Sequence, residues 1–159
     1  MSSLFLRAAF AVVVLPGVMG FALPLLVIEP VWQRDMAFAP GLAIVGAGMW
    51  LLFRCVREFY VAGKGTLAPW SPPKHLVTSG PFRWSRNPIY VAMLVVLVGW
   101  TLTFWSRDLL IYTIIMFVLF HLRTLYGEEP RLAREFGREW TLYTERVARW
   151  LGPGHGSHR

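Results

Sequence analysis

Four long apolar stretches constrain this chain more than any other feature of its sequence. Charged residues are absent from, or confined to one end of, the windows between Arg7 and Glu29, Asp35 and Arg54, Arg86 and Ser106, and Leu109 and about Tyr126. Each window approaches the roughly 20 residues that an α-helix needs to cross a hydrocarbon core about 30 Å thick. With 55% hydrophobic and 16% charged residues, the chain is too apolar for an ordinary soluble domain. The sequence therefore predicts an all-α membrane protein.

The predicted architecture is about four transmembrane helices followed by a cytoplasmic amphipathic helix, in a single integral-membrane domain at residues 1–151. The first window is interpreted as a retained helix rather than a secretory signal, because its apolar run is long and no small-x-small cleavage site follows. The tail has no apolar pattern, and we expect residues 152–159 to be disordered. The predicted helices cover residues 5–28, 40–62, 88–105, 109–127 and 130–150.

The basic residues predict the orientation in the membrane. With four crossings, the 16 Lys and Arg residues divide unequally between the two sides of the membrane. All of them except Arg34 and Arg107 fall on the same side. The positive-inside rule then places both termini in the cytoplasm, at the inner membrane if the source is bacterial. The net charge of +7 needs no nucleic-acid partner, because no nucleic-acid-binding motif accompanies it.

The motifs of several common enzyme classes are missing from the sequence. No Cys/His or Glu-x-x-His spacing supports a metal site, so we expect none. A nucleophile elbow, a Rossmann fingerprint and a phosphate-binding loop are also absent. Cys55 is interpreted as a packing residue, His75 most simply as a hydrogen-bonding loop residue, and His121 as packed within its helix.

Two consecutive acids, Glu128 and Glu129, lie where the last apolar helix reaches the membrane surface. Simple solvation explains them, since acids just outside the bilayer cost little. Alternatively, Arg83 and Arg86 return to the same interface, so that two acids and two guanidiniums border one pocket beneath the aromatic face of the C-terminal helix. Such a pocket would suit a zwitterionic ligand, with Arg for a carboxylate and aromatic faces for a flat base or a cation.

Three ordered blocks resemble the integral-membrane methyltransferases related to isoprenylcysteine carboxyl methyltransferase and phospholipid N-methyltransferase. The stretch "HLVTSGPFRWSRNPIYVAM" is similar to the family's signature, and "EEPRLAREFGREWTLYTERVARW" resembles its C-terminal motif. The block "GLAIVGAGMWLLF" is similar to the glycine-pair segment of phosphatidylethanolamine methyltransferases. Three positions depart from the pattern: Asn87 replaces a more usual histidine, Trp140 a tyrosine and Ala148 a proline. The first departure disfavours the prenylcysteine assignment more than the methyltransferase one.

The resemblance implies S-adenosylmethionine as methyl donor, bound at the cytoplasmic side between the loop before the third helix and the C-terminal segment. Methyl transfer is an in-line displacement, so the protein mainly aligns the reactants and excludes water. Arg86 and Glu129 are the candidate catalytic residues. The candidate donor-binding residues carried over by position are His75, Leu76, Val77, Gly80, Pro81, Phe82, Arg86, Asn87, Tyr90, Glu128 and Glu129, with Gly46 and Gly48 more weakly. Close packing on a membrane helix is the other explanation for the two glycines.

The expected acceptor is a phospholipid amine or a similar lipophilic molecule that enters from the bilayer. An isoprenylcysteine-like carboxylate or a small hydrophobic thiol is the alternative. An amine is protonated at neutral pH and must lose a proton before attack, and Glu128 or Glu129 could take it. The alternative of another class is a non-catalytic membrane module or a small transporter. The position of the acids near span ends, rather than at the midplane, argues against a transporter.

Overall fold

The computed structural model describes residues 38–62 and 75–152, together with the isolated positions 18, 20 and 24. Apart from those three positions, the predicted helix over 5–28 lies outside the described residues, as do loop residues 63–74 and the tail from 153 onward. Every regular element within the described ranges is helical. These elements are α1 (Phe38–Val61), a 3-10 turn (Gly80–Arg83), α2 (Pro88–Phe104), α3 (Arg107–Arg123), a π turn (Thr124–Glu128), α4 (Glu129–Phe136) and α5 (Arg138–Arg146).

Two helical stretches are long and apolar enough to cross a membrane. They are α1 and the continuous run Arg107–Phe136, while α2 is apolar but spans 17 residues. Only 28% of the residues in the most apolar window of each long stretch are buried inside the structure, whereas the core helix of a soluble protein would be mostly buried. The count of four crossings stays a prediction, since the first predicted helix lies outside the described residues.

Close backbone contact joins α1 and α2. A Cβ built on Gly48 would lie 2.9 Å from the backbone nitrogen of Val96, and one built on Gly99 would lie 2.7 Å from that of Val45. Real Cβ atoms do not approach backbone so closely, so glycine is needed at both positions. Small residues at a helix crossing are a common packing device in membranes, because they let the backbones approach.

A tight connection makes α2 and α3 antiparallel neighbours. Trp105 ends α2 in the left-handed region with φ 46°, and the hydroxyl of Ser106 accepts a hydrogen bond from the backbone nitrogen of Leu109 to cap α3. This is a usual way to satisfy a free amide in the first helical turn. The core between the two helices contains Met93, Leu97, Met116 and Phe120.

The π turn joins α3 to α4 and has a local cause. Pro130 has no amide hydrogen, and in an α-helix its ring would crowd the carbonyl four residues earlier, that of Tyr126. The chain widens here instead, and the backbone nitrogen of Glu129 donates to the carbonyl of Thr124, five residues before it. Single π turns of this kind often occur at functional sites.

The C-terminal segment differs from the single helix predicted over 130–150. Two helices, α4 and α5, meet at Gly137, whose φ of 49° and ψ of −117° interrupt the helix. Helix α5 ends at Arg146, and Val147 is extended, with φ −122° and ψ 127°. The helical spacing of the apolar residues continues through the glycine in sequence, so the pattern alone could not reveal the break. As a result, residues 147–150 run beside the loop that precedes α2.

Candidate active site

The loop before α2, residues 75–87 and here called the entry loop, is held beneath α5. The hydroxyl of Tyr143 donates to the carbonyl oxygen of Phe82 at 2.7 Å. Trp140, Tyr143 and Val147 form a buried cluster against which Leu76 packs. Burial raises the pKa of Tyr143, an effect that the positive charge of Arg86 opposes. Tyr143 therefore stays protonated and able to donate at neutral pH.

The end of the entry loop is also tied to the C-terminal segment, residues 147–150. The backbone nitrogen of Arg86 donates to the carbonyl of Ala148 at 3.0 Å. The Arg149 carbonyl accepts from the hydroxyl of Ser85 at 3.2 Å and from Nδ2 of Asn87 at 3.0 Å. Asn87, the residue that replaces the family's histidine, thus has a structural hydrogen bond.

These contacts assemble a charged cluster of Arg86, Glu129 and Arg149. Arg149 forms a bidentate pair with Glu129, from Nε to Oε1 and from Nη2 to Oε2, both at 2.8 Å. Arg86 Nη1 lies 3.1 Å from the same Oε1, and the side chains of Arg86 and Glu129 are only 11% and 15% exposed. Burial lowers the pKa of Arg86, while the charge of Glu129 opposes this shift; an arginine nevertheless stays protonated at neutral pH.

One donor of Arg86 is left over from this cluster. The guanidinium lies 5.7 Å from the centre of the Trp140 ring, and its Nη1 faces Glu129. Its Nε is buried and has no hydrogen-bond partner among the described residues. Buried polar groups are nearly always paired, so an unpaired one in a charged site points to a ligand or a water.

Glu128 lies in a second cluster, with Tyr90 and Arg123. Its Oε1 accepts from the hydroxyl of Tyr90 and from Arg123 Nε, the latter at 2.9 Å. Arg123 Nε also donates to the Tyr90 hydroxyl at 2.9 Å. The π turn makes this geometry possible, because its wider winding brings residues five apart onto one face. Within residues 38–62 and 75–152, the other oxygen of Glu128, Oε2, accepts no hydrogen bond.

The predicted site residues divide into those that reach these clusters and those that do not. Side chains at the clusters are those of Arg86, Asn87, Tyr90, Glu128 and Glu129. His75 is exposed, while Val77 and Phe82 pack in the core with Cys55. Gly80 has a positive φ of 58°, and a Cβ there would lie 2.7 Å from Cγ of Glu58. A separate cavity is lined by Gly80, Pro81 and Arg83. The prediction that Arg83 borders one pocket with the two glutamates is therefore wrong.

The predicted glycine pair lies on two faces of α1. Gly48 is buried against α2 near Val96, whereas a Cβ at Gly46 would meet no atom within 4 Å. Residues two apart on an α-helix point in nearly opposite directions. Helix packing against α2 therefore accounts for Gly48. Of the two glycines, Gly46 faces away from α2, so a ligand contact at the predicted glycine pair would involve Gly46 alone.

Sequence reasoning missed the partners that complete both clusters. Arg149 was recognised as part of the C-terminal motif but not as the partner of Glu129, from which it is 20 residues away. Arg123 is five residues before Glu128, a spacing that does not form a pair on an α-helix. Pro130 is the sequence feature that could have identified Arg123 as the partner of Glu128. The turn before this proline is wider than an α-helical turn, so residues five apart come onto one face.

Comparison with family models found a match for this chain. A family model described as phospholipid methyltransferase matches residues 36–139. The match includes the entry loop, both glutamates and α4, and it stops before Arg149. No curated protein and no solved structure matches the chain.

Proposed function

This chain belongs to the phospholipid methyltransferase family, and from that premise we propose that it transfers a methyl group from S-adenosylmethionine to a phospholipid amine at the cytoplasmic face of a membrane. Family membership and the two long apolar helices make it a membrane protein. For a single domain over residues 1–151 with four crossings, the positive-inside distribution supports cytoplasmic termini.

The residues present fit the proposed donor. The buried, unpaired Nε of Arg86 is suited to the amino acid carboxylate of S-adenosylmethionine, because guanidinium and carboxylate form strong charge-assisted hydrogen bonds. Arg86 cannot turn freely toward a ligand, since Glu129 and Trp140 hold its guanidinium. The other donor-binding candidates at this site are Asn87, Tyr90 and Glu128. His75, Leu76, Val77 and Gly80 to Phe82 stay candidates through their backbone groups, because their side chains do not reach the two clusters. Gly46 and Gly48 remain the weaker candidates.

The single observation that carries the proposal is the different surroundings of the two neighbouring glutamates. Both oxygens of Glu129 accept from arginines, so Glu129 acts by holding Arg86 and the C-terminal segment in place. Within the described part of the chain, Oε2 of Glu128 accepts no hydrogen bond, and its side chain is 29% exposed. Of the two acids, Glu128 is therefore the better candidate to accept a proton.

The proposed reaction needs little covalent chemistry from the protein. S-adenosylmethionine supplies a methyl group on a sulfonium, which a lone pair can displace in line. Arg86 orients the donor, Glu129 and Arg149 fix Arg86, and the Oε2 of Glu128 takes the proton that an amine must lose to expose its lone pair. An acceptor of the alternative kind, a carboxylate or a thiolate, would not need this proton transfer.

The test uses the purified full-length protein in detergent with labelled S-adenosylmethionine and a membrane lipid extract. We expect saturable donor binding and label in the phospholipid fraction. Glu128→Gln should lower the transfer rate to amines by a larger factor than it lowers donor affinity, because the amide can still accept a hydrogen bond but cannot take a proton. Absence of saturable donor binding by well-folded protein would refute the enzyme proposal, and label found only in water-soluble products would refute the lipid acceptor.

A further inference from the structure

A cavity of about 430 Å³ lies between the C-terminal half of α1 and the start of α2. Neither Arg86 nor either of the two glutamates lines it. Among the described residues, its walls combine two arginines and two tryptophans with smaller side chains: Trp50, Leu51, Arg54, Gly80, Pro81, Arg83, Trp84, Ser85, Pro88, Val91 and Leu151. This mixture of cationic and apolar groups requires its own explanation.

Arg54 is the first unusual feature of the cavity. It lies about two turns before the end of α1, on a helix apolar enough to cross a membrane. Its guanidinium carbon is 5.4 Å from the centre of the Trp50 ring. Its Nε is buried and has no hydrogen-bond partner in the described part of the chain. Arginines in membrane helices are costly and usually mark a functional contact, so the unpaired Nε points to a ligand or a water at this cavity.

Arg83 adds a second positive charge to the same cavity. Within residues 38–62 and 75–152, no carboxylate lies within ion-pair distance of Arg54 or Arg83. The acid nearest along α1 is Glu58, whose carboxylate accepts from the hydroxyl of Ser79 at 2.6 Å and lies 3.6 Å from Arg57. Among the described residues, the two guanidiniums thus have no counter-charge. Planar guanidiniums bind phosphate well.

The apolar part of the cavity indicates the rest of the ligand. Leu51 and Val91 line it beside the arginines, and the side chain of Trp50 is 61% exposed. Tryptophan is enriched at the level of lipid headgroups, where its ring contacts chains and its N–H contacts water. An anion that fits these walls carries both a phosphate and hydrocarbon chains.

We propose that this cavity binds the phosphodiester headgroup of a membrane phospholipid, with Arg54 and Arg83 at the phosphate and the chains running along α1 and α2. The inference depends on placing α1 in a membrane. It does not depend on methyl transfer, because lipid binding needs neither the donor nor the cluster at Glu129.

The experiment measures lipid affinity for delipidated full-length protein in detergent by native mass spectrometry. The probe is dioleoylphosphatidylglycerol, which has a phosphodiester but no amine and so cannot be the proposed methyl acceptor. Dioleoylglycerol, with the same chains and no phosphate, is the matched lipid. We expect the phospholipid to bind at least tenfold more tightly, and the double substitution Arg54→Gln and Arg83→Gln to abolish most of that difference.

Arg57→Gln is the matched control, since Arg57 lies on the same helix with its side chain 56% exposed and does not line the cavity. It should keep wild-type affinity for the phospholipid. If the double variant fails to fold, Arg83→Gln alone decides the question, because Arg83 is exposed and its loss should still lower affinity severalfold.

Three results would overturn the inference: equal affinity for the two lipids, unchanged affinity in the folded arginine variants, or displacement of the phospholipid by inorganic phosphate at equal concentration. The last result would show a site for free phosphate rather than for lipid. S-adenosylmethionine binding measured on the same samples separates the two proposals. Donor binding without phospholipid binding contradicts only the cavity, and the reverse contradicts only the proposed function.

Discussion

Arg149 and Glu129 form a bidentate ion pair, with both nitrogen–oxygen distances at 2.8 Å. The pair joins the C-terminal segment to the first residue of α4, and Arg86 of the entry loop shares one of its oxygens. Three chain segments therefore meet at one carboxylate. Because Arg86 and Glu129 are both largely buried, loss of the carboxylate would leave two guanidiniums facing each other without compensation.

The first prediction concerns Glu129→Gln. We expect donor affinity and turnover to fall at least tenfold, a change of about 1.4 kcal/mol, because Arg86 loses its anchor. We also expect a lower unfolding temperature, since removing one partner of a buried ion pair costs about 3–5 kcal/mol. Calorimetric titration with S-adenosylmethionine and thermal unfolding in detergent measure the two effects.

The matched control for Glu129→Gln is Glu139→Gln, which changes an exposed acid on α5. It should leave both donor affinity and the unfolding temperature unchanged. Wild-type affinity in Glu129→Gln would remove this residue from the site.

The second prediction concerns the unpaired Nε of Arg86. Arg86→Lys keeps the positive charge but removes Nε, so it should lower donor affinity at least tenfold while the helix content stays the same. The same change at Arg83, an arginine of the same loop outside the cluster, should leave donor affinity unchanged. Measurement of S-adenosylmethionine affinity for Arg86→Lys and Arg83→Lys tests this prediction. Equal losses in both variants would mean that charge in the loop, rather than this nitrogen, determines binding.

The third prediction compares the two glycines of α1. Gly48→Ala places a Cβ 2.9 Å from the backbone nitrogen of Val96, and we expect a destabilisation of about 1–3 kcal/mol from the forced separation of α1 and α2. Gly46→Ala meets no such obstacle and should be neutral or stabilising by about 0.5–1 kcal/mol, because alanine favours the helix. Denaturant titrations of both variants in the same detergent measure the difference. A Gly48→Ala variant as stable as Gly46→Ala would contradict the close packing.

The fourth prediction concerns Tyr143. Tyr143→Phe leaves the carbonyl of Phe82 without its donor and should cost about 1–3 kcal/mol of unfolding free energy at neutral pH. Because burial raises the pKa of Tyr143 in the folded protein, the stability it contributes is present in full below the ordinary tyrosine pKa of about 10 and is lost as the pH rises above it. The variant should therefore lose less stability than the wild type above about pH 10.

Unfolding curves at neutral and alkaline pH check the prediction for Tyr143. Tyr126→Phe is the control, because the side chain of Tyr126 is 75% exposed and removing its hydroxyl leaves no buried group unpaired. It should behave as the wild type at neutral pH. An equal loss in the two variants would show that the hydrogen bond to Phe82 contributes nothing measurable.

Local patterns predicted the helices well where the chain follows them. The bounds predicted for the second, third and fourth apolar helices are close to those of α1, α2 and α3. A long apolar run in a membrane forms a helix because its backbone groups must pair within the segment. Patterns failed at Gly137 and at the π turn, where one residue changes the course of the backbone. The predicted helix over 5–28 and the number of crossings stay predictions.

The sequence by itself determined the apolar helices, the family and the residue types of the site, since these follow from composition and from short motifs. Only the tertiary structure decided which charges meet. The turn at Gly137 and the extended residues after Arg146 bring Arg149 to Glu129, and the wider turn before Pro130 brings Arg123 to Glu128. The entry loop sends Arg86 to one site and Arg83, three residues earlier, to another. These outcomes depend on the path of the backbone between distant residues, which no local spacing specifies.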